Sequence, residues 1–416
     1  MPALAILAGT MVLYGLISRP LERIGATAPI AFVAVGLVAH VAGLGGLIEL
    51  RTASHEAVRV SSDVALTVAE LALALTLFTD AARVDLQSLR RELPIPARLL
   101  AIGMPLTVLL GLLAAMALFS GHLGFWEAAI VAVVLAPTDA ALGAPVVEDT
   151  RLPRPLRQAL TVESGLNDGL AVPALYLFLA LADVTQNVKT PAYWTGFALR
   201  EIGLGVLIGT VIAYTASKLF TAATHRGWVT GLFAAIIPAA IAITTFVIAD
   251  ECGASGFIAA FVGGLVAGAV APERNQLTGF IHQQAQFLAY AVFFFFGGIC
   301  ATLAPHLTGP IVLYAVLSLT IVRMLPVAIA LAGSRLQPTT VAFVGWFGPR
   351  GLASIILAVV VIVSTAPALA GQNTMMLIIV ATVFLSIVAH GITATPLSAK
   401  LARHIAQLPP DAAERS

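Results

Sequence analysis

The chain has 416 residues, of which 59% are hydrophobic and 10% charged, with a formal net charge of +1. Its mean hydropathy is +0.98. Average soluble proteins carry about 25% charged residues, so a water-soluble globule is excluded and lipid must be part of the solvent. The balanced charge gives no electrostatic reason for a nucleic-acid partner, and Cys252 and Cys300 show neither a metal-ligand spacing nor a disulfide framework.

In lipid every backbone polar group needs an internal partner, which leaves helices or a closed barrel. The apolar runs are about 20 residues long and do not alternate, the signature of helices. Thirteen spans are predicted in chain order: 3–18, 27–44, 62–80, 94–118, 124–147, 156–182, 196–220, 228–249, 254–271, 282–303, 308–333, 339–364 and 373–399. The first lacks a basic leader and a clear cleavage site, so it reads as a span and not as a signal peptide. A short polar tail covers 402–416, and no soluble regulatory domain is expected.

With thirteen spans, one set of loops collects most of the Lys and Arg, from Arg19 to Arg415, while the other set holds Arg51, Arg59 and Lys189. That asymmetry predicts an outside N-terminus and a cytoplasmic C-terminus. The fifth span is interrupted at Ala136-Pro137-Thr138-Asp139-Ala140 and the twelfth at Gly345-Trp346-Phe347-Gly348-Pro349-Arg350-Gly351. Proline removes a helix donor and glycine loosens the backbone. Spans 1–6 and 8–13 then form two six-helix halves joined by the seventh, which inverts one half and sets the two breaks at equivalent places. Broken helices at matching positions of inverted repeats point to a transport site near the bilayer midplane.

A charge at a span centre costs about 2.5–3.5 kcal/mol on insertion scales, so Glu70, Asp139, Glu163, Asp168, Arg323 and Arg350 each need a reason. Ser164 and Asp168 are four residues apart on one helix face, with Glu163 and Asn167 on the adjacent face. Carboxylate, hydroxyl and amide oxygens within one turn make an oxygen-rich site suited to a hard cation. A desolvated carboxylate also binds protons more readily, so Asp168 is expected to hold either a proton or a cation.

Asp139 follows Pro137, where a restarting half-helix exposes N–H groups and a positive dipole end; a capping and electrostatic role is preferred over direct ion binding. Thr138 can offer its freed carbonyl to the ion. Arg350, at the other break, demands an anion, and Glu163 is the expected partner in a structural ion pair. Glu70 is either a ligand or a partner for Arg323. His390 is expected to hydrogen-bond between helices.

The segments APTDAALG (136–143), VESGLNDG (162–169), FGPRGLAS (347–354) and AHGITATPL (389–397), with AELALALTLFTDAARVDL (69–86), resemble the monovalent cation:proton antiporters of the NhaP/NHE type along essentially the whole chain. The resemblance implies thirteen helices, inverted six-helix repeats, two crossed unwound helices, a core domain (94–182 and 308–399) and a dimerisation domain (1–60 and 196–271), usually in a homodimer. It implies that Asp168 binds the ion or proton with help from Ser164 and the Thr138 backbone. Asp139 would interact with Asn167 and the unwound ends, Glu163 and Arg350 would form an ion pair, and Glu70 would help coordinate the cation. The Asn167-Asp168 pair implies electroneutral exchange. Ala140 stands where many members have proline.

The expected protein is thus a multi-pass sodium (or lithium)/proton antiporter of a bacterial inner membrane. Its partners are monovalent cations, protons, lipid and a second copy of itself, with no cofactor and no enzymatic role. A potassium/proton antiporter is the alternative, and an intramembrane aspartyl hydrolase built on Asp139 and Asp168 the remote one.

Overall fold

The computed structural model describes residues 2–44, 63–84, 94–182, 196, 199–270, 274–364, 369, 371–409 and 412–414. Arg51, Arg59 and Lys189, on which the count for one side of the membrane rests, lie outside them. All secondary structure among the described residues is helical. The elements are α1 (Pro2–Arg23), α2 (Ala28–Val41), α3 (Asp63–Arg83), α4 (Pro94–Arg98), α5 (Met104–Phe119), α6 (Phe125–Val134), α7 (Ala140–Val147), α8 (Arg154–Ala182), α9 (Gly205–His225), α10 (Gly231–Glu251), α11 (Gly256–Val270), α12 (Arg274–Leu303), α13 (Gly309–Leu319), α14 (Ile321–Ala330), α15 (Pro338–Trp346), α16 (Leu352–Ser364) and α17 (Gln372–Ala406). Among the described residues, seven helical stretches are long and apolar enough to cross a membrane, and four shorter helices are also apolar.

Local chemistry explains the boundaries. Pro29, Pro310 and Pro338 sit in first turns, where a missing N–H costs nothing. Pro105, deeper in its span, follows a π-helical turn at Leu99–Gly103 that joins α4 to α5; π turns absorb such a lost donor. The predicted spans 124–147 and 339–364 are each split, into α6 and α7 and into α15 and α16. The predicted span 308–333 is split too, into α13 and α14 at Thr320 (φ −107°, ψ −94°). No proline or glycine marks that site. Thr320 Oγ1 donates to the Val316 carbonyl at 2.6 Å, a bond that threonines within unbroken helices such as Thr245 and Thr382 also make.

By their contacts the residues form two compact units, each with its own core. The first comprises 1–66, 94–167 and 290–416. Phe32 of α2 stacks on Tyr290 of α12 at 5.0 Å, with Tyr14 of α1 tilted against Phe32. A buried cluster including Leu99, Val146, Leu156, Leu160, Phe343, Phe347 and Leu401 binds the two broken helices to α8 and α17.

The second unit comprises 67–93 and 168–289. Its core includes Leu75, Phe78, Ala213, Ile241, Ala267 and Ile281. Here α3 lies directly on α11: a Cβ on Gly264 or Gly268 would strike the Phe78 or Ala82 carbonyl. Small residues allow this backbone contact, which is a main source of helix association where lipid removes the hydrophobic drive.

Candidate functional site

The two breaks meet in the first unit. The Asp139 N–H donates to the Pro349 carbonyl at 2.8 Å, joining one interruption to the other. Asp139 precedes α7 and accepts the Leu142 N–H on Oδ1 at 3.2 Å. Its Oδ2 accepts the N–H of Leu352, the first residue of α16. One carboxylate therefore caps two half-helices, whose positive dipole ends both converge on it. The approach needs Gly351, because a Cβ there would collide with Asp139 Oδ2 and Leu142.

Arg350 performs the complementary task. Its side chain is fully buried. Nη1 donates to the Pro137 carbonyl at 3.2 Å and to the Gly348 carbonyl at 3.1 Å. These carbonyls lie just beyond the C-terminal ends of α6 and α15, where the dipole favours a cation. The opposite pairs of helix ends are thus compensated by one acid and one base.

Glu163 does not supply the short contact to Arg350 that its depth suggested. Its Oε1 meets Arg323 Nη2 at 2.6 Å, with both side chains 3% exposed. Arg323 reaches it past Gly348, where a Cβ would press on the guanidinium. The sequence could not separate the two arginines, because which guanidinium reaches Glu163 depends on how separate helices pack. Nε and Nη2 of Arg350 have no hydrogen-bond acceptor among the described residues.

A second cluster sits at Pro137. Asn167 Nδ2 donates to Thr138 Oγ1 at 2.7 Å, and Thr138 Oγ1 pairs with Ser164 Oγ at 3.0 Å. All three residues are buried. Asn167 Oδ1 is buried without a donor among the described residues. Asp168 follows on the same continuous helix, four residues beyond Ser164, and is 5% exposed. Glu70, expected either as a ligand or beside Arg323, lies half-buried on α3 in the second unit, with Asp250 as a charged neighbour.

His390 bridges helices, as its position in α17 suggested. Nε2 lies 2.8 Å from the Trp346 carbonyl, and Nδ1 lies 3.1 Å from Ser386 Oγ. Ser386 Oγ also accepts the Arg350 N–H at 2.6 Å. Nδ1 also lies 2.9 Å from the Ser386 carbonyl, so both ring nitrogens face backbone acceptors. Ser386 and Ser354, whose hydroxyl donates to the Val134 carbonyl at 2.7 Å, were not visible as site residues. A lone serine in an apolar helix looks the same whether it bonds its own turn or a neighbouring helix.

A sequence model of the family described as "Sodium/hydrogen exchanger, transmembrane" matches residues 8–400. The K(+)/H(+) antiporter NhaP of Alkalimonas amylolytica is 26% identical over 342 residues, covering 81% of this chain and 56% of that protein. The K(+)/H(+) antiporter NhaP2 of Shewanella baltica is 25% identical over 409 residues, covering 95% of this chain and 65% of that protein. The chain thus spans between half and two thirds of the length of these relatives. The solved structure of the sodium proton antiporter MjNhaP1 from Methanocaldococcus jannaschii superposes with a TM-score of 0.73 at 20% identity, covering 97% of this chain and 100% of that one. That likeness establishes a shared all-helical membrane fold.

Proposed function

We propose that this chain, which belongs to the transmembrane sodium/hydrogen exchanger family, exchanges a monovalent cation for a proton, both competing for Asp168. The observation that carries this reading is the Asn167 amide. Its nitrogen is committed to Thr138, while its oxygen is buried without a donor among the described residues. Leaving a buried acceptor unmade costs about 1–3 kcal/mol, and a hard cation is the partner such an oxygen lacks. Ser164 and the Thr138 carbonyl add oxygens at the same break.

The coupling follows from electrostatics. A buried carboxylate that carries neither proton nor cation is too costly to move through a low-dielectric barrier. Only the compensated site crosses, so one cation is exchanged for one proton and no net charge moves. Two six-helix halves related by inversion, with thirteen crossings and an outside N-terminus, would let the broken helices rock between sides. A bacterial inner membrane and a homodimer complete the proposal, with no cofactor and no enzymatic step. Sodium or lithium is the first choice of cation. Potassium is the second reading, supported by the two relatives described as K(+)/H(+) antiporters.

Proteoliposomes with an internal pH dye test this directly. Imposed gradients of lithium, sodium and potassium should drive proton movement with the wild-type chain, in an order that identifies the cation. Asp168→Asn should abolish it at normal protein yield. Full exchange by that variant would remove Asp168 from the mechanism.

A further inference from the structure

The turn between α14 and α15 closes one end of a groove of about 730 Å³. Its walls are apolar: Ile321, Leu325 and Ala328 on α14, and Pro338, Val341 and Ala342 on α15. Ile321 is 57% exposed and Leu325 is 46% exposed, whereas Arg323 between them is buried. In a membrane-spanning chain such an apolar outer face is solvated by acyl chains. A furrow between two helices holds one chain in place where a smooth face would let it slide.

The polarity changes at the turn. Ser334 and Arg335 line that end of the groove, and Arg98 donates to the Ala332 carbonyl at 3.0 Å in the same turn. Neither arginine forms an ion pair among the described residues. The nearby Glu414 carboxylate accepts the Gln337 N–H at 2.5 Å and the Thr340 hydroxyl at 3.1 Å, both on Oε1, and is held on that side of the turn. Arg335 has φ 65°, making it the one non-glycine residue in the left-handed region among the described residues. Glycine would adopt that backbone without strain. Here that position carries an arginine instead, and it lines the groove.

We propose that this groove binds one anionic phospholipid, with an acyl chain between α14 and α15 and the phosphate at Arg335 and Arg98. An apolar furrow ending at a turn that carries Arg335 and receives Arg98 matches that one class of molecule, and basic pockets between membrane helices take anionic headgroups in this way. The inference rests on the chain spanning a membrane and is independent of which ion is exchanged.

Native mass spectrometry of the purified protein is the test, using an equal mixture of phosphatidylglycerol and phosphatidylcholine with identical acyl chains. One phosphatidylglycerol should be retained in preference to phosphatidylcholine by about tenfold or more, as two basic residues at a lipid surface would supply. Arg335→Asn, which keeps a residue tolerant of the left-handed backbone, combined with Arg98→Gln should bring the ratio close to one. Ala328→Trp should lower retention while both arginines remain. Equal retention of the two lipids by the wild-type protein would overturn the proposal, whether or not the variants fold. So would a preference for phosphatidylglycerol that survives loss of both arginines, or retention unaffected by the tryptophan.

Discussion

Asp139 and Arg350 show how a membrane protein can contain charge without making every charge a ligand. Each compensates two helix ends left open by the breaks: Asp139 takes the N–H groups of Leu142 and Leu352, and Arg350 takes the carbonyls of Pro137 and Gly348. Asp139→Ala should destabilise the purified protein by about 1–2 kcal/mol for each lost cap, whereas Asp139→Asn keeps one acceptor and should melt between that variant and wild type. Equal melting of Asp139→Asn and wild type would show that the second cap contributes nothing. The contact between Glu163 and Arg323 makes a separate prediction. Removing one partner of a buried pair leaves an uncompensated charge and costs about 3–5 kcal/mol, while replacing both with apolar residues is often close to neutral. The double variant Glu163→Leu/Arg323→Met should therefore recover yield and melting temperature relative to either single variant. Pairing Glu163→Leu with Arg350→Met should give no recovery, because Arg350 is bound to carbonyls.

At the scale of elements, the breaks at 135–139 and 347–351 were legible because proline and glycine act locally: a missing donor or a missing Cβ can be read without knowing the neighbours. The bend at Thr320 was not legible, since a threonine in an apolar helix has the same local signature whether or not the chain bends there. The choice of Arg323 over Arg350 as partner for Glu163 depends on how three helices pack, which no spacing within one helix encodes. Close crossing of the breaks gives a further prediction. Gly351→Ala places a Cβ against Asp139 Oδ2 and Leu142, so it should displace the cap and reduce transport strongly at near-normal membrane insertion. Gly231→Ala, where a Cβ meets nothing within 4 Å, should leave both unchanged. Transport assays normalised to protein in the membrane decide this, and an active Gly351→Ala variant would mean that the crossed geometry tolerates movement.

For the whole molecule, the apolar spans and the family were legible from the chain, because lipid imposes a length and composition on each helix. The division into two units follows from which faces pack together, as Phe32 does on Tyr290 within the first. The mechanism makes its strongest demand at this scale. If proton and cation compete for one carboxylate, the apparent cation KM on one face must rise as the pH on that face falls, approaching tenfold per pH unit below the affinity of the site for protons. The rate at saturating cation should stay constant over the same range, because enough cation displaces the proton. Exchange should also ignore an imposed membrane potential, since the loaded site carries the same charge in both directions. Proteoliposomes clamped with a potassium ionophore, at varied internal and external pH, report all three quantities. A falling maximal rate with an unchanged KM would place the controlling proton on a second group, and a marked voltage dependence would mean that more than one charge crosses per cation.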